Sequence, residues 1–168
     1  MIPTLPLRLR NRLAETILTA LHDAAARREL AVLAAEAGAR NWLQGDELRW
    51  TDPLVTRARV ACAALADRPL LGAAADLRQT LDAAAALFDA GLYFEVHEVL
   101  EPHWMTADGP EREALQGLIQ IAVAWQHLAN GNVAGARSLL ADGAARLFGR
   151  LLAPPMRDET SIMCRPPY

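Results

Sequence analysis

Residues 81–104 read LDAAAALFDAGLYFEVHEVLEPHW, and this stretch decides the fold. Residues 73–90 have the small and apolar composition of a helix, and Gly91 is typical of the residue that ends one. A second helix is predicted to begin near Tyr93, because apolar residues again recur three and four positions apart. The stretch therefore predicts two helices joined by a tight glycine turn.

The same arrangement returns 40 residues later, at Gly131. Residues 110–130 are predicted to form a helix, and Asn132 is a suitable N-cap for the next one. The apolar positions after the glycines match at that offset: Tyr93, Val96 and Leu100 correspond to Val133, Ala136 and Leu140. The pattern resembles the tetratricopeptide style of helical hairpin, but two units are fewer than a free-standing array needs. We expect a compact bundle built around two hairpins.

Composition predicts the same fold class for the whole chain. Its 168 residues include 34 Ala and 27 Leu but only 12 Val and Ile together, which favours an all-α protein of one domain. Residues 1–70 are predicted as an N-terminal helical extension, 71–152 as the two-hairpin core and 153–168 as an extended tail. Extension helices are expected at about 7–26, at about 29–37, and from Asp52, as N-cap, to just before Arg68. Trp42 and Trp50 indicate that the connection holding them packs against the core.

Charge and cysteine content exclude several function classes. All 17 basic residues are Arg, so Schiff-base chemistry and the P-loop lysine are ruled out. A net charge of −3 argues against a nucleic-acid partner. The two cysteines lack metal-site spacing and indicate a reducing compartment. Without a signal peptide or a long apolar run, we expect a cytoplasmic protein with no membrane partner.

A polar stripe marks the helix that begins near Tyr93. His97, Glu101 and Trp104 fall within about 60° of one another on the helical wheel, and Glu98 lies beside Glu101 at i, i+3. An imidazole and two carboxylates are therefore expected to lie close together. Acidic residues gather between positions 89 and 113, where Arg112 is the one basic residue. These carboxylates must therefore be solvated by water or paired with a cation or with an arginine from the N-terminal extension.

A second polar stripe follows on the next helix, with Glu113, Gln116, Gln120 and His127 on one side of it. If the two helices are antiparallel neighbours, Gln116 and Gln120 are expected to meet His97. His127 lies about 15 Å farther along the axis and is assigned to another contact.

The joint pattern resembles the prokaryotic family catalogued as domain of unknown function 309. The residues that carry the resemblance span about 87–147 and include Phe88, Gly91, Tyr93–Glu95, His97–Glu101, Trp104, Gly109–Arg112, Leu115–Gln120, His127–Leu128 and Gly131–Asn132. The resemblance implies a small helical fold, no established reaction, and signature polar positions at His97, Glu98, Glu101, Trp104, Gln116 and His127. Pro102 departs from the expected pattern, and a kink or an end of the helix is expected there.

The polar residues support three alternative hypotheses about function. In the first, the chain is a structural or interaction module, and His97, Glu101 and the two glutamines form a buried network that fixes helix packing. In the second, it is a metal-dependent and hydrolytic enzyme: His97 and Glu101 hold one divalent ion, Glu98 or Glu113 completes the site, and Glu98 or Glu101 acts as general base. In the third, the residues line a groove for a small molecule or peptide. No other cofactor is indicated, and homodimerisation is the default expectation.

Overall fold

The computed structural model describes residues 5–72 and 75–151, and within these ranges the chain is helical and contains no strand. The all-α prediction is confirmed. The predicted tail at 153–168 lies outside the described residues. The helices are α1 (Leu7–Ala20), α2 (Ala24–Leu33), α3 (Glu36–Arg40), α4 (Thr51–Leu65), α5 (Leu77–Asp89), α6 (Tyr93–Thr106), α7 (Gly109–Ala129) and α8 (Val133–Leu151), with a 3₁₀ helix at Gly45–Trp50.

The helix boundaries in the extension differ from those predicted. The expected helix at 7–26 is two helices, because Asp23 caps α2 by accepting a hydrogen bond from the backbone N–H of Ala25 at 2.6 Å. Gly38, expected to end a helix, instead lies buried inside α3, where an added Cβ would collide with the Val32 carbonyl of α2. A 3₁₀ helix runs directly into α4, so Asp52 lies in the first turn of α4 rather than capping it.

The connection that holds two tryptophans packs down as expected. Trp42 is buried, and the Arg12 guanidinium of α1 lies 3.9 Å from its ring centroid. Arg8, also on α1, donates to the Trp42 carbonyl at 3.4 Å and pairs with Glu47 of the 3₁₀ helix. These contacts fix the connection against α1.

The two hairpins turn in the same way. Gly91 and Gly131 have φ angles of +73° and +78°, a backbone conformation that residues other than glycine rarely adopt. The residue after each glycine donates its N–H to a carbonyl five positions earlier, as Leu92 does to Leu87 and Asn132 to His127, each at 2.9 Å. The predicted equivalence of the turns is confirmed.

Helix α7 lies between its two neighbours and packs against both α6 and α8. The extension joins the hairpins through contacts of α1 with α6 and of α4 with α5. Helix α6 continues through Pro102 to Thr106, so of the two outcomes expected at that residue, an end of the helix is wrong. The turn after it is intact, since the Ala107 N–H donates to the His103 carbonyl at 2.9 Å. Among the described residues, no helix has both the length and the apolar content needed to cross a bilayer.

Candidate functional site

Three potential metal ligands come together on α6. One ligand atom each from His97, Glu98 and Glu101 lies within 4.8 Å of the others, and we call this group the α6 cluster. His97 Nδ1 is 3.2 Å from a carboxylate oxygen of Glu98, and these two side chains are 30% and 33% exposed. The expected meeting of an imidazole with two carboxylates is present, and it is open to solvent rather than buried.

Trp104, placed on the same stripe by sequence, sits one turn beyond the cluster and is half-buried. The Arg112 guanidinium of α7 lies 4.4 Å from its ring centroid and donates to the Trp104 carbonyl at 2.8 Å. The indole Nε1 of Trp104 is buried and has no hydrogen-bond acceptor within residues 5–72 and 75–151. Trp104 and Arg112 together join the end of α6 to the start of α7.

Two members of the second polar stripe, Glu113 and Gln120, contact α8, and Gln120 forms no hydrogen bond with His97, contrary to the expected convergence. Gln120 accepts a hydrogen bond from Arg146 Nε at 3.1 Å, and Arg146 also pairs with Glu113. The reason is the close approach of α7 to α8 at Gly117 and Gly143, which brings the long Arg146 side chain over this face. Gln116 is half-buried on the same helix.

His127 has a local role in the second turn. Its Nδ1 lies 3.0 Å from the side-chain nitrogen of Asn132, and the Asn132 Oδ1 accepts from the Gly135 N–H at 2.9 Å. His127 thus holds the N-cap of α8, consistent with its expected separation from His97.

A cavity of about 510 Å³ opens beside the α6 cluster, between α1 and the helices α5 and α6. Glu98 lines this cavity, and so do His22 and His103, two histidines that no sequence pattern assigns to a site. His103 Nε2 lies 2.9 Å from the Thr80 hydroxyl, which fixes its ring. Through Glu98, the cluster borders an open space large enough for a small molecule.

The charge pair at the centre of the fold was missed by the sequence reasoning. Glu95 of α6 is fully buried, and its carboxylate accepts hydrogen bonds from Arg57 Nη2 at 3.3 and 3.5 Å. Burial raises the pKa of Glu95 despite the nearby positive charges of Arg57 and Arg10. Water, a cation and an arginine from the extension were the three partners expected for the carboxylates of the acidic stretch. For Glu95 the partner is an arginine from the extension.

A sequence signal for this pair exists. Arg57 falls on the same face of α4 as Leu54, Ala58 and Ala61, and Glu95 falls beside Leu92 and Val96 on α6, so each charge interrupts an apolar stripe. Two opposite charges at such positions predict a buried pair, because a lone buried charge is too costly to persist.

The part of the chain that matches a known family is the part that forms the hairpins. Residues 81–139 match the family model described as Domain of unknown function (DUF309). The resemblance is confirmed. The DUF309 match covers α5 from Leu81 onward, α6, α7 and the first turns of α8. It therefore includes the α6 cluster, Glu95 and both glycine turns but not Arg57. No curated protein and no solved structure matches the chain.

Proposed function

We propose that this chain is a structural and interaction module in which two copies associate through their hairpins. The observation that carries the proposal is an apolar groove of about 300 Å³ between α5, α6 and α7, which we call the hairpin groove. Its walls include Leu81, Ala85, Phe88, Leu100, Leu118 and Ile121. Apolar surface of this kind is stabilised when another apolar surface covers it.

The chain itself carries a matching helix face. Val133, Leu140 and Phe148 of α8 are 55%, 44% and 61% exposed. They fall within about 80° of one another on the helical wheel, forming what we call the α8 stripe. Since α8 packs chiefly on α7, this stripe faces away from its own bundle. In the proposed dimer, the α8 stripe of each copy lies in the hairpin groove of the other.

Sedimentation velocity over a range of concentrations tests the dimer. The unaltered chain should dimerise, whereas Phe148→Ser and Ala85→Arg should each remain monomeric, because the first removes the inserted side chain and the second fills the groove. Val32→Ser and Ala63→Arg change exposed residues of α2 and α4 and serve as matched controls.

Mixing the two variants gives a sharper test. Phe148→Ser retains an intact groove and Ala85→Arg an intact stripe, so the mixture should form a heterodimer with one complete contact. A monomeric unaltered chain, or a mixture that stays monomeric, would contradict the proposal.

The α6 cluster favours a second candidate function, the binding of a divalent cation. Ligand atoms on one tetrahedral Zn²⁺ lie about 3.4 Å apart, so the spread of the cluster needs only small side-chain rotations to close around an ion. One imidazole and two carboxylates would leave room for water on a divalent cation. Glu101 and His97 would hold the ion, and Glu98 would hold it or serve as the general base for the water that the ion activates.

Metal analysis of chain purified without a polyhistidine tag tests this candidate. Titration with Zn²⁺ and Mn²⁺ should give one ion per chain, and His97→Ala and Glu101→Gln should each abolish it. His22→Ala, which removes an exposed histidine of the neighbouring cavity, should leave binding intact. Absence of stoichiometric binding in the unaltered chain would eliminate the candidate and leave the dimer proposal standing.

A further inference from the structure

Arg57 lines another cavity, which borders the hairpin groove at Asp89 and includes no member of the α6 cluster. This cavity of about 370 Å³ lies between α4, the turn at Gly91 and the last turn of α7, and we call it the aromatic cavity. The Arg57 side chain is 6% exposed, and its Nε has no acceptor in the described part of the chain. A buried donor that lacks an acceptor destabilises the fold unless a bound group satisfies it.

The bond between Arg57 and Glu95 leaves room for a competitor. Its distances of 3.3 and 3.5 Å are longer than the 2.7–2.9 Å that is usual for a charge-assisted hydrogen bond. Burial raises the pKa of Glu95, whereas the charge of Arg57 and its hydrogen bond lower it. Asp89, exposed at the cavity wall, is the other acidic group there, and it would repel an anion.

Two aromatic rings stand in the remaining wall, beside the polar Gln126 and the aliphatic Leu128. Tyr93 and Trp125 line the cavity with their ring centroids 5.9 Å apart and their planes inclined by 30°. Phe88 packs edge-on against both rings, at 5.1 and 6.1 Å, and fixes their orientation. Trp125 is 39% exposed, so part of its surface is free to contact a ligand.

We propose that the aromatic cavity binds a small aromatic carboxylate. The carboxylate would accept hydrogen bonds from Arg57, and the flat ring of the ligand would pack against Tyr93 and Trp125. The cavity volume falls within the range of small-molecule sites. The N-terminal extension supplies the charge and the DUF309-like hairpins supply the aromatic walls, so the site needs both parts of the chain.

Calorimetric titration of the full chain with phenylacetate and with the neutral phenylacetamide tests the proposal. Because the two ligands share a shape and differ in charge, phenylacetate should bind about tenfold more tightly or better. Asp89→Asn should tighten phenylacetate binding, whereas Asp82→Asn, at another exposed position of α5, should leave it unchanged. Equal affinities, no binding, or binding of phenyl phosphate without phenylacetate would overturn the proposal.

Removing the guanidinium tests its role directly. Arg57→Met alone strands a buried carboxylate, so it is combined with Glu95→Leu, which replaces the pair with apolar side chains. This double variant should lose the preference for phenylacetate over phenylacetamide, and a retained preference would refute the role of Arg57. If the double variant does not fold, Trp125→Ala provides the test: it should weaken both ligands, and unchanged affinities would refute the aromatic wall.

Discussion

The hairpins α5–α6 and α7–α8 turn on equivalent glycines, Gly91 and Gly131, yet their second helices carry different side chains. At the 40-residue offset, Glu95 corresponds to Gly135, His97 to Arg137, and Glu101 to Ala141. Helix α8 thus has the turn of α6 without its buried carboxylate or its cluster. The glycine turn needs none of these polar groups, which indicates that α6 keeps them for contacts of its own.

Packing separates the two hairpins in the same way. Helix α6 is covered by α1 and α7, and its Glu95 reaches Arg57 on α4, whereas α8 packs chiefly on α7. The contact of α8 depends on small residues, since a Cβ added at Gly143 would lie 2.7 Å from the Gly117 carbonyl oxygen. One hairpin is therefore held by a buried charge pair and the other by close backbone approach.

Arg57→Met should produce the largest effect, because it breaks the buried ion pair between α4 and α6. The variant leaves Glu95 buried without a partner, and the free energy of unfolding should fall by about 3–5 kcal/mol. Chemical denaturation monitored by circular dichroism measures this. Arg28→Met, at an exposed position of α2, should change stability by less than about 0.5 kcal/mol. Comparable losses in the two variants would show that the pair is unimportant.

The same pair predicts a pH dependence. The pKa of Glu95 is raised in the folded state, so the folded chain binds this proton more tightly than the unfolded chain does. The resulting stabilisation is complete below the ordinary value of about 4.5 and is lost as the pH rises through the raised folded value. Unfolding measured from pH 4 to 8 should show this decline in the unaltered chain and not in Glu95→Gln. Parallel profiles would rule it out.

Local signals in the sequence predicted the hairpins well, because a glycine turn and a helical stripe depend on neighbouring residues. Gly91, Gly131 and the N-cap at Asn132 are all where the pattern put them. The α6 cluster could be predicted from the sequence for the same reason, since its members lie on one helix. The contact partner of the Gln120 side chain could not be predicted in this way, because it depends on how closely α7 approaches α8.

Contacts between distant elements account for most of the errors. Arg57 and Glu95 are 38 positions apart, and only the fold brings them together. The helix end expected at Pro102 is wrong, since α6 continues to Thr106, and tertiary packing is able to outweigh the loss of one backbone hydrogen bond. Asp23, by contrast, was a readable N-cap that divides the predicted first helix in two.

Gly143→Ala should cause the next loss, and it tests the close approach of α8. Its Cβ would collide with the backbone of α7, so stability should fall by about 1–3 kcal/mol. Gly149→Ala is the matched control on the same helix: its Cβ meets no atom within 4 Å, and better helix propensity should raise stability by about 0.5–1 kcal/mol. Thermal unfolding distinguishes them, and stabilisation by both substitutions would contradict the close packing of α8 on α7.

Gly91→Ala and Gly131→Ala test whether the two turns are equivalent. Each forces alanine into a left-handed conformation with open space around it, so each should cost about 1–2 kcal/mol, from backbone strain alone. Gly72→Ala, which also meets open space but has no positive φ, is the control. Clearly unequal costs for Gly91 and Gly131 would show that the turns differ despite their shared geometry.

His97→Ala should have the smallest effect on stability, and it separates the two readings of the α6 cluster. If His97 belonged to a buried packing network, its loss would leave a partner unsatisfied and cost about 1–3 kcal/mol. The imidazole is instead 30% exposed and contacts a carboxylate that is also open to solvent, so a change below about 0.5 kcal/mol is expected. Arg137→Ala, at the equivalent position of α8, should behave alike in denaturation experiments without metal. A loss above 1 kcal/mol for His97→Ala alone would instead place the cluster among the groups that hold α6 in the bundle.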